Sequence, residues 1–168
     1  MHRSEAEFVA FVAARRTHLR RIAYALCGDW HRAEDLVQTA LAKLYVAWPR
    51  LHTAGAEEAY ARQVIVRANI DESRRPWRRE RTGIEQPDRA TAPDGSVEDR
   101  SELVQALQEL PPMQRKVVVL RHWLDLSVEE TARELDVSTG TVKSHTSRGL
   151  ARLHAALTAD AQPPRSER

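Results

Sequence analysis

The chain is poor in the residues that punctuate and cross-link most small proteins. Cys27 is the only cysteine among 168 residues, which excludes an internal disulfide and fits a reducing cytoplasm. Glycine occurs six times and aromatic residues make up 5 %, while alanine and arginine abound, so helices are expected throughout. No apolar run approaches ~20 residues, and no membrane span is expected. The polar start MHRSEAEF has none of the features of a signal peptide. Net charge is only +2, so any polyanion must be held by local basic patches rather than by bulk charge. His31, His52, His122 and His145 sit far apart, and no HExxH or CxxC spacing occurs. A Gly-rich phosphate loop, a nucleophile constellation and a carboxylate cluster are all missing too. No metal, no cofactor and no enzymatic activity are expected.

What is present is centred on Leu126 to Leu153, LSVEETARELDVSTGTVKSHTSRGLARL. It reads as two helices joined by a tight turn. Ser127 with Glu130 three residues on makes a capping box. Ala132 is small enough for the second helix to cross closely. Asp136 stands where such turns often carry Gly, and Asp tolerates a left-handed backbone. Ser138 caps the second helix, whose inward stripe is expected to be Val142, Leu150 and Leu153. Outward at its start lie Thr139, Gly140, Lys143, Ser144 and Ser147, small or polar donors with one cation. Such a set suits a helix entering a major groove. Arg148 and Arg152 follow, placed for flanking phosphates.

Towards the N-terminus, Phe8, Phe11, Val12, Leu19, Ile22, Ala23 and Leu26 predict a helix over about Glu5 to Leu26. Arg15, Arg16, Arg20 and Arg21 read as its solvated face. Gly28 ends it, and Asp29 caps the next. That second helix, Trp30 to Trp48, places Ala33, Leu36, Val37, Ala40, Leu41, Leu44, Tyr45 and Trp48 inward. Its other face shows Arg32, Asp35, Gln38, Thr39 and Lys43. By periodicity alone this is a core helix with a wet face. Pro49 stops it, and a third helix begins near Glu58 with Tyr60, Val64 and Ala68 inward.

The third helix runs into Arg74, Arg75, Arg78, Arg79 and Arg81 with Trp77 among them, a pattern expected where a surface tracks a nucleic-acid backbone. Pro76 should end or kink the helix at Arg75. Residues 82–101 carry Gly83, Pro87, Pro93 and Gly95 with Glu85, Asp88, Asp94, Glu98 and Asp99, and read as an acidic linker. Beyond it, Leu103, Leu107 and Leu110 predict one helix, stopped at Pro111 and Pro112. Met113 to Leu124 predicts another that buries Val117, Leu120 and Leu124. After residue 158 a disordered tail is expected.

Two stretches carry a family resemblance. LQELPPMQRKVVVLRHWLDLS, continuing through the helical hairpin, resembles region 4 of bacterial sigma factors. DWHRAEDLVQTALAKLYVAWPRL resembles region 2.2 of the extracytoplasmic-function group, sigma-E-like. The resemblance implies an all-α protein of two small helical domains, a region 2 bundle over residues 1–81 and a region 4 helix-turn-helix domain over 102–158. It implies a sigma factor that binds core RNA polymerase and directs initiation at promoters. Region 4 would read the −35 element through Ser138, Thr139, Gly140, Thr141, Lys143, Ser144, Ser147 and Arg148, and dock on the β flap. Asp35, Gln38 and Thr39 would grip the β′ clamp helices. The −10 element would be met by Tyr60, Arg67, Asn69, Arg74, Arg75, Arg78 and Arg79. Many relatives carry Asn near position 67, where this chain has Arg67 and places Asn69 just beyond. An anti-sigma factor is a further partner in keeping with the resemblance.

Two other function classes share parts of this pattern. A polymerase-independent helix-turn-helix regulator would share the hairpin and dimerise on symmetric half-sites; the second-helix motif and the basic third helix count against it. An interaction module that titrates another regulator is the third class. The linker is either an inert tether or a strand threaded through the polymerase cleft. As ~20 flexible residues it spans ~25 Å on average and ~65 Å at most. Promoter elements one and a half to two turns apart lie ~50–65 Å from each other, so the free protein is expected to bind promoters poorly. Tyr60 is the only aromatic between Arg50 and Ser73. With so little stacking surface, opening should depend on a well-matched −10 sequence.

Overall fold

The computed structural model describes residues 4–74 and 101–160. They fall into two compact units, divided between Pro93 and Asp94. Among the described residues all regular structure is helical.

The first unit is a three-helix bundle. α1 spans Glu5–Cys27, α2 Trp30–Ala47 and α3 Ala56–Arg74, and each packs on the other two. Local chemistry sets the ends. Ser4 and Glu7 form a capping box at the start of α1, with the Ser4 N–H donating to Glu7 Oε2 at 2.6 Å. Gly28 closes α1 in the left-handed conformation at φ 73°. Asp29 Oδ1 accepts the Arg32 N–H at 3.0 Å to open α2. Pro49 follows α2 inside a single 3-10 turn, Trp48–Arg50. α3 begins two residues before the expected Glu58, because Gly55 at φ 83° lets the Ala56 N–H reach Thr53 O at 3.0 Å.

The core holds Leu19, Ile22 and Leu26 of α1, Leu36, Val37, Leu41 and Leu44 of α2, Trp48, and Ile65 and Ile70 of α3. Tyr45, expected inward, is 52 % exposed. It stands about 100° round the helix from the buried Leu44, with an edge contact to Phe8, 5.0 Å between centroids. The inner face of α3 is also turned by one residue from the expected one. Ala61, Ile65 and Asn69 are buried, while Tyr60, Val64 and Ala68 are half-buried. α3 is wedged against both α1 and α2, so its buried arc is wider than one stripe and its centre is set by both neighbours. The four arginines of α1 are not a freely solvated face either. Arg16 and Arg20 meet Glu34 at 3.1 and 3.2 Å, Arg15 meets Glu58 at 3.3 Å, and Arg20 lies over the Trp30 ring.

The second unit has α4 Glu102–Gln108, α5 Pro112–Val118 running on into a wide π turn Val119–Trp123, α6 Val128–Leu135 and α7 Thr139–Asp160. α7 packs on α4, α5 and α6. Val117, Ala132 and Val142 centre the contact, with Met113, Val128, Leu135 and Val137 around them. Leu103 (44 % exposed) and Leu150 (37 % exposed) were expected inside. Each is one residue, about 100°, from the position that faces inward: Val104 in α4 and Gly149 in α7.

Candidate nucleic-acid and polymerase interfaces

The hairpin of α6 and α7 is built by short-range hydrogen bonds. The Glu130 N–H donates to Ser127 Oγ at 3.1 Å, and the Ser127 N–H donates to Glu130 Oε2 at 2.7 Å. That backbone donor, then the Ser127 side chain, holds the Glu130 carboxyl below its ordinary value, with Arg133 adding to it. Asp136 ends α6 in the left-handed conformation at φ 56°, ψ 50°. Its N–H closes back on the helix, as does that of Val137, which donates to Ala132 O at 3.0 Å. Asp125 takes the same conformation before α6, and the Arg121 guanidinium donates to Leu126 O across that bend. Two left-handed aspartates therefore bracket α6.

Ser138 Oγ accepts the Thr141 N–H at 3.1 Å, and the two hydroxyls lie 2.9 Å apart. Val142 and Gly149 turn α7 inward. Its opposite side is left exposed and carries Gly140, Lys143, Ser144, Ser147 and Arg148, while Ser138 and Thr139 are exposed at the start of the helix. Thr141 is half-buried beside its cap. A convex helix face of small hydroxyls and a glycine, flanked by Lys143 and Arg148, can enter a groove and donate to base edges and phosphates. Gly149, which the sequence did not single out, sets how close α7 comes to α5. A Cβ there would meet Val118 Cγ2 at 2.7 Å and Gln114 O at 3.3 Å.

In the first unit Asp35, Gln38 and Thr39 are all exposed and occupy one side of α2, at steps of three and one. The −10 candidates are brought together only in part. Arg67 is exposed and Tyr60 half-buried; seven residues apart, they share a face of α3. Asn69 is not on that face: it is 2 % exposed and lies on the opposite, core side with Ile65. Arg74 is the last residue of α3. Arg75, Arg78 and Arg79, together with Pro76, Trp77, Arg81, the linker and the tail, lie outside the described residues.

Burial lowers the His18 pKa; Glu58 opposes that, and Arg15, Arg62 and Arg21 add to the lowering. His18 is therefore neutral at pH 7, and its 3.7 Å approach to Glu58 is not an ion pair there. Among the described residues no cluster of histidine, cysteine or carboxylate side chains could hold a metal, and no helix is long and apolar enough to cross a membrane.

These features define a helical protein with a helix-turn-helix in one unit and a three-helix bundle in the other. Residues 11–79 match the family described as Sigma-70 region 2, and residues 100–153 match Sigma-70, region 4. The chain is 40 % identical over 163 residues to an RNA polymerase sigma-E factor of Streptomyces avermitilis, covering 93 % of this chain and 88 % of that one. It is 39 % identical over 160 residues to the RNA polymerase sigma-E factor of Streptomyces coelicolor, covering 91 % and 87 %. Its fold is similar to that of the sigma factor RpoE solved in complex with the anti-sigma factor NepR from Bartonella quintana. The TM-score is 0.60 at 26 % identity, over 92 % of this chain and 98 % of that one. The chain belongs to the RNA polymerase sigma factors, in the sigma-E-like extracytoplasmic-function group. It works with core RNA polymerase and promoter DNA, and directs transcription initiation.

Proposed function

We propose a division of labour within this sigma factor. The unit over residues 102–158 reads the −35 element through α7, with Lys143 and the hydroxyls of Ser144 and Ser147 on base edges and Arg148 on phosphate. The unit over residues 1–81 binds the β′ clamp through Asp35, Gln38 and Thr39. It meets the −10 strand through Tyr60, Arg67 and the basic run that follows α3. Residues 82–101 join the two. The observation that carries the reading is the exposure of seven of the eight candidate −35 residues on α7 and its cap, five of them, Gly140, Lys143, Ser144, Ser147 and Arg148, on the side away from the buried Val142 and Gly149. The role is non-catalytic and exercised in the cytoplasm: the protein confers promoter choice, and the bond-forming chemistry belongs to polymerase.

An anti-sigma factor that occupies one of these faces is part of the proposal, supported by the RpoE–NepR complex among the similar structures. A polymerase-independent regulator is disfavoured by the Sigma-70 region 2 match over residues 11–79. The test is run-off transcription with core polymerase on a genomic fragment library, with and without this protein. Discrete transcripts that need both the protein and core are expected. Operator binding without core, and no new transcripts with it, would refute the assignment.

A further inference from the structure

Glu58 and Glu72 stand at the two ends of one stripe on α3. Between them the stripe passes through Ala61, Ile65 and Asn69, all buried, at steps of three, four, four and three, which keep to one helix face. That stripe has little bulk of its own, a methyl group, one branched chain and an amide, with Val66 and Ile70 buried beside it. Apolar burial is also non-directional, so such a face resists separation better than it resists rolling or sliding. Ion pairs supply the missing direction. Glu58 meets Arg15 Nε of α1 at 3.3 Å and Arg62 Nη1 of its own helix at 4.0 Å, and its side chain is 21 % exposed. Glu72 meets Arg32 Nη2 of α2 at 3.4 Å. One end of α3 is thus tied to α1 and the other to α2, about 21 Å apart along its axis. Setting register is the best-attested use of buried polar and ionic groups, and Glu58 and Glu72 are largely buried at 21 % and 30 % side-chain exposure.

Tyr60 and Arg67 lie between these ties, about 160–180° round the helix from Glu58 and about 120–140° from Glu72. We propose that Glu58 and Glu72 are positioning residues for promoter opening. By fixing the height and rotation of α3, they aim Tyr60 and Arg67 at the −10 strand. This rests on the assignment of α3 to the −10 element.

The test uses the full chain with core polymerase and compares wild type, Glu58→Gln, Glu72→Gln, Arg15→Ala, Arg15→Ala/Glu58→Gln, Tyr60→Ala and Arg67→Ala. Each is assayed for core affinity, thermal unfolding, and open-complex yield on duplex and pre-melted −10 templates. Either glutamine variant should lower the opening rate on duplex about three- to fivefold, the scale of one such pair. Core affinity should be unchanged, and yield should recover on the pre-melted template. The double variant should be no worse than the worse single one, since both changes break the same tie. Duplex opening at the wild-type rate in both glutamine variants, with Tyr60→Ala and Arg67→Ala impaired, would overturn the positioning role alone. Equal losses on both templates, or weaker core binding, would also overturn it, as the sign of a generally loosened bundle. If Tyr60→Ala and Arg67→Ala left the −10 dependence unchanged, the assignment of α3 itself would fall.

Discussion

Gly149 of the recognition helix faces Val118 so closely that a single added methyl would come within 2.7 Å of Val118 Cγ2. The helix that carries the −35 candidates is therefore seated on α5 through a residue with no side chain. Gly149→Ala should destabilise the second unit by about 1–2 kcal/mol. Overpacking of about 1–3 kcal/mol is offset by at most about 1 kcal/mol of helix propensity. Gly140→Ala is the control, since a Cβ there meets only Ser138 Oγ at 3.8 Å. Urea unfolding followed by circular dichroism checks both; a Gly149→Ala protein as stable as wild type would contradict the close seating.

The two units should lose stability in different pH windows. His18 has a folded pKa below its ordinary 6.5, so the folded state binds fewer protons than the unfolded one. Its contribution is complete above about pH 6.5 and declines as the pH falls through the folded value. The Glu130 carboxyl is likewise lowered from 4.5, so its contribution to the cap of α6 is lost only at more acid pH. Unfolding midpoints measured between about pH 7.5 and 5.5 should fall less in His18→Asn than in wild type. Equal slopes would show that His18 does not titrate as its surroundings require.

Changing Asp35 and Gln38 together to Ala removes an acceptor and an amide from the exposed side of α2 without touching its buried stripe. Affinity for core polymerase should fall roughly tenfold or more, the scale of central interface residues, with helical circular dichroism unchanged. Unaltered binding to core would remove the clamp assignment.

Lys143→Ala should change base preference at the −35 element by about 1–3 kcal/mol, as loss of a base-edge contact does. Arg148→Ala should weaken all promoters alike and lower the slope of affinity against salt by about one. Binding measured on a panel of −35 variants at several salt concentrations separates the two. The reverse pattern would mean that α7 lies in the groove in another orientation.

The helix ends were legible in the sequence because their chemistry is local. Ser127 with Glu130, the left-handed Asp136, Gly28 and Asp29 each act within a few residues, and the structure keeps every one. The polar faces of α2 and α7 followed from periodicity, although Tyr45 and Leu150, placed inward by the same pattern, are exposed. The phase of α3 did not, because Tyr60–Val64–Ala68 and Ala61–Ile65–Asn69 are neighbouring stripes of similar polarity. Only contact with two other helices chooses between them. That choice moved Asn69 from the candidate surface into the core.

The sequence by itself determined the helical class, the hairpin with its caps and turn, and the family, all of which depend on residue order over short spans. Tertiary structure alone decided which arginines of α1 are paired, since Glu34 and Glu58 lie on other helices 14 to 43 residues away. It alone decided that Gly149 is a seat rather than a flexible point. Ion pairing and close packing depend on distances that arise only when separate helices meet, and no spacing along the chain encodes them directly.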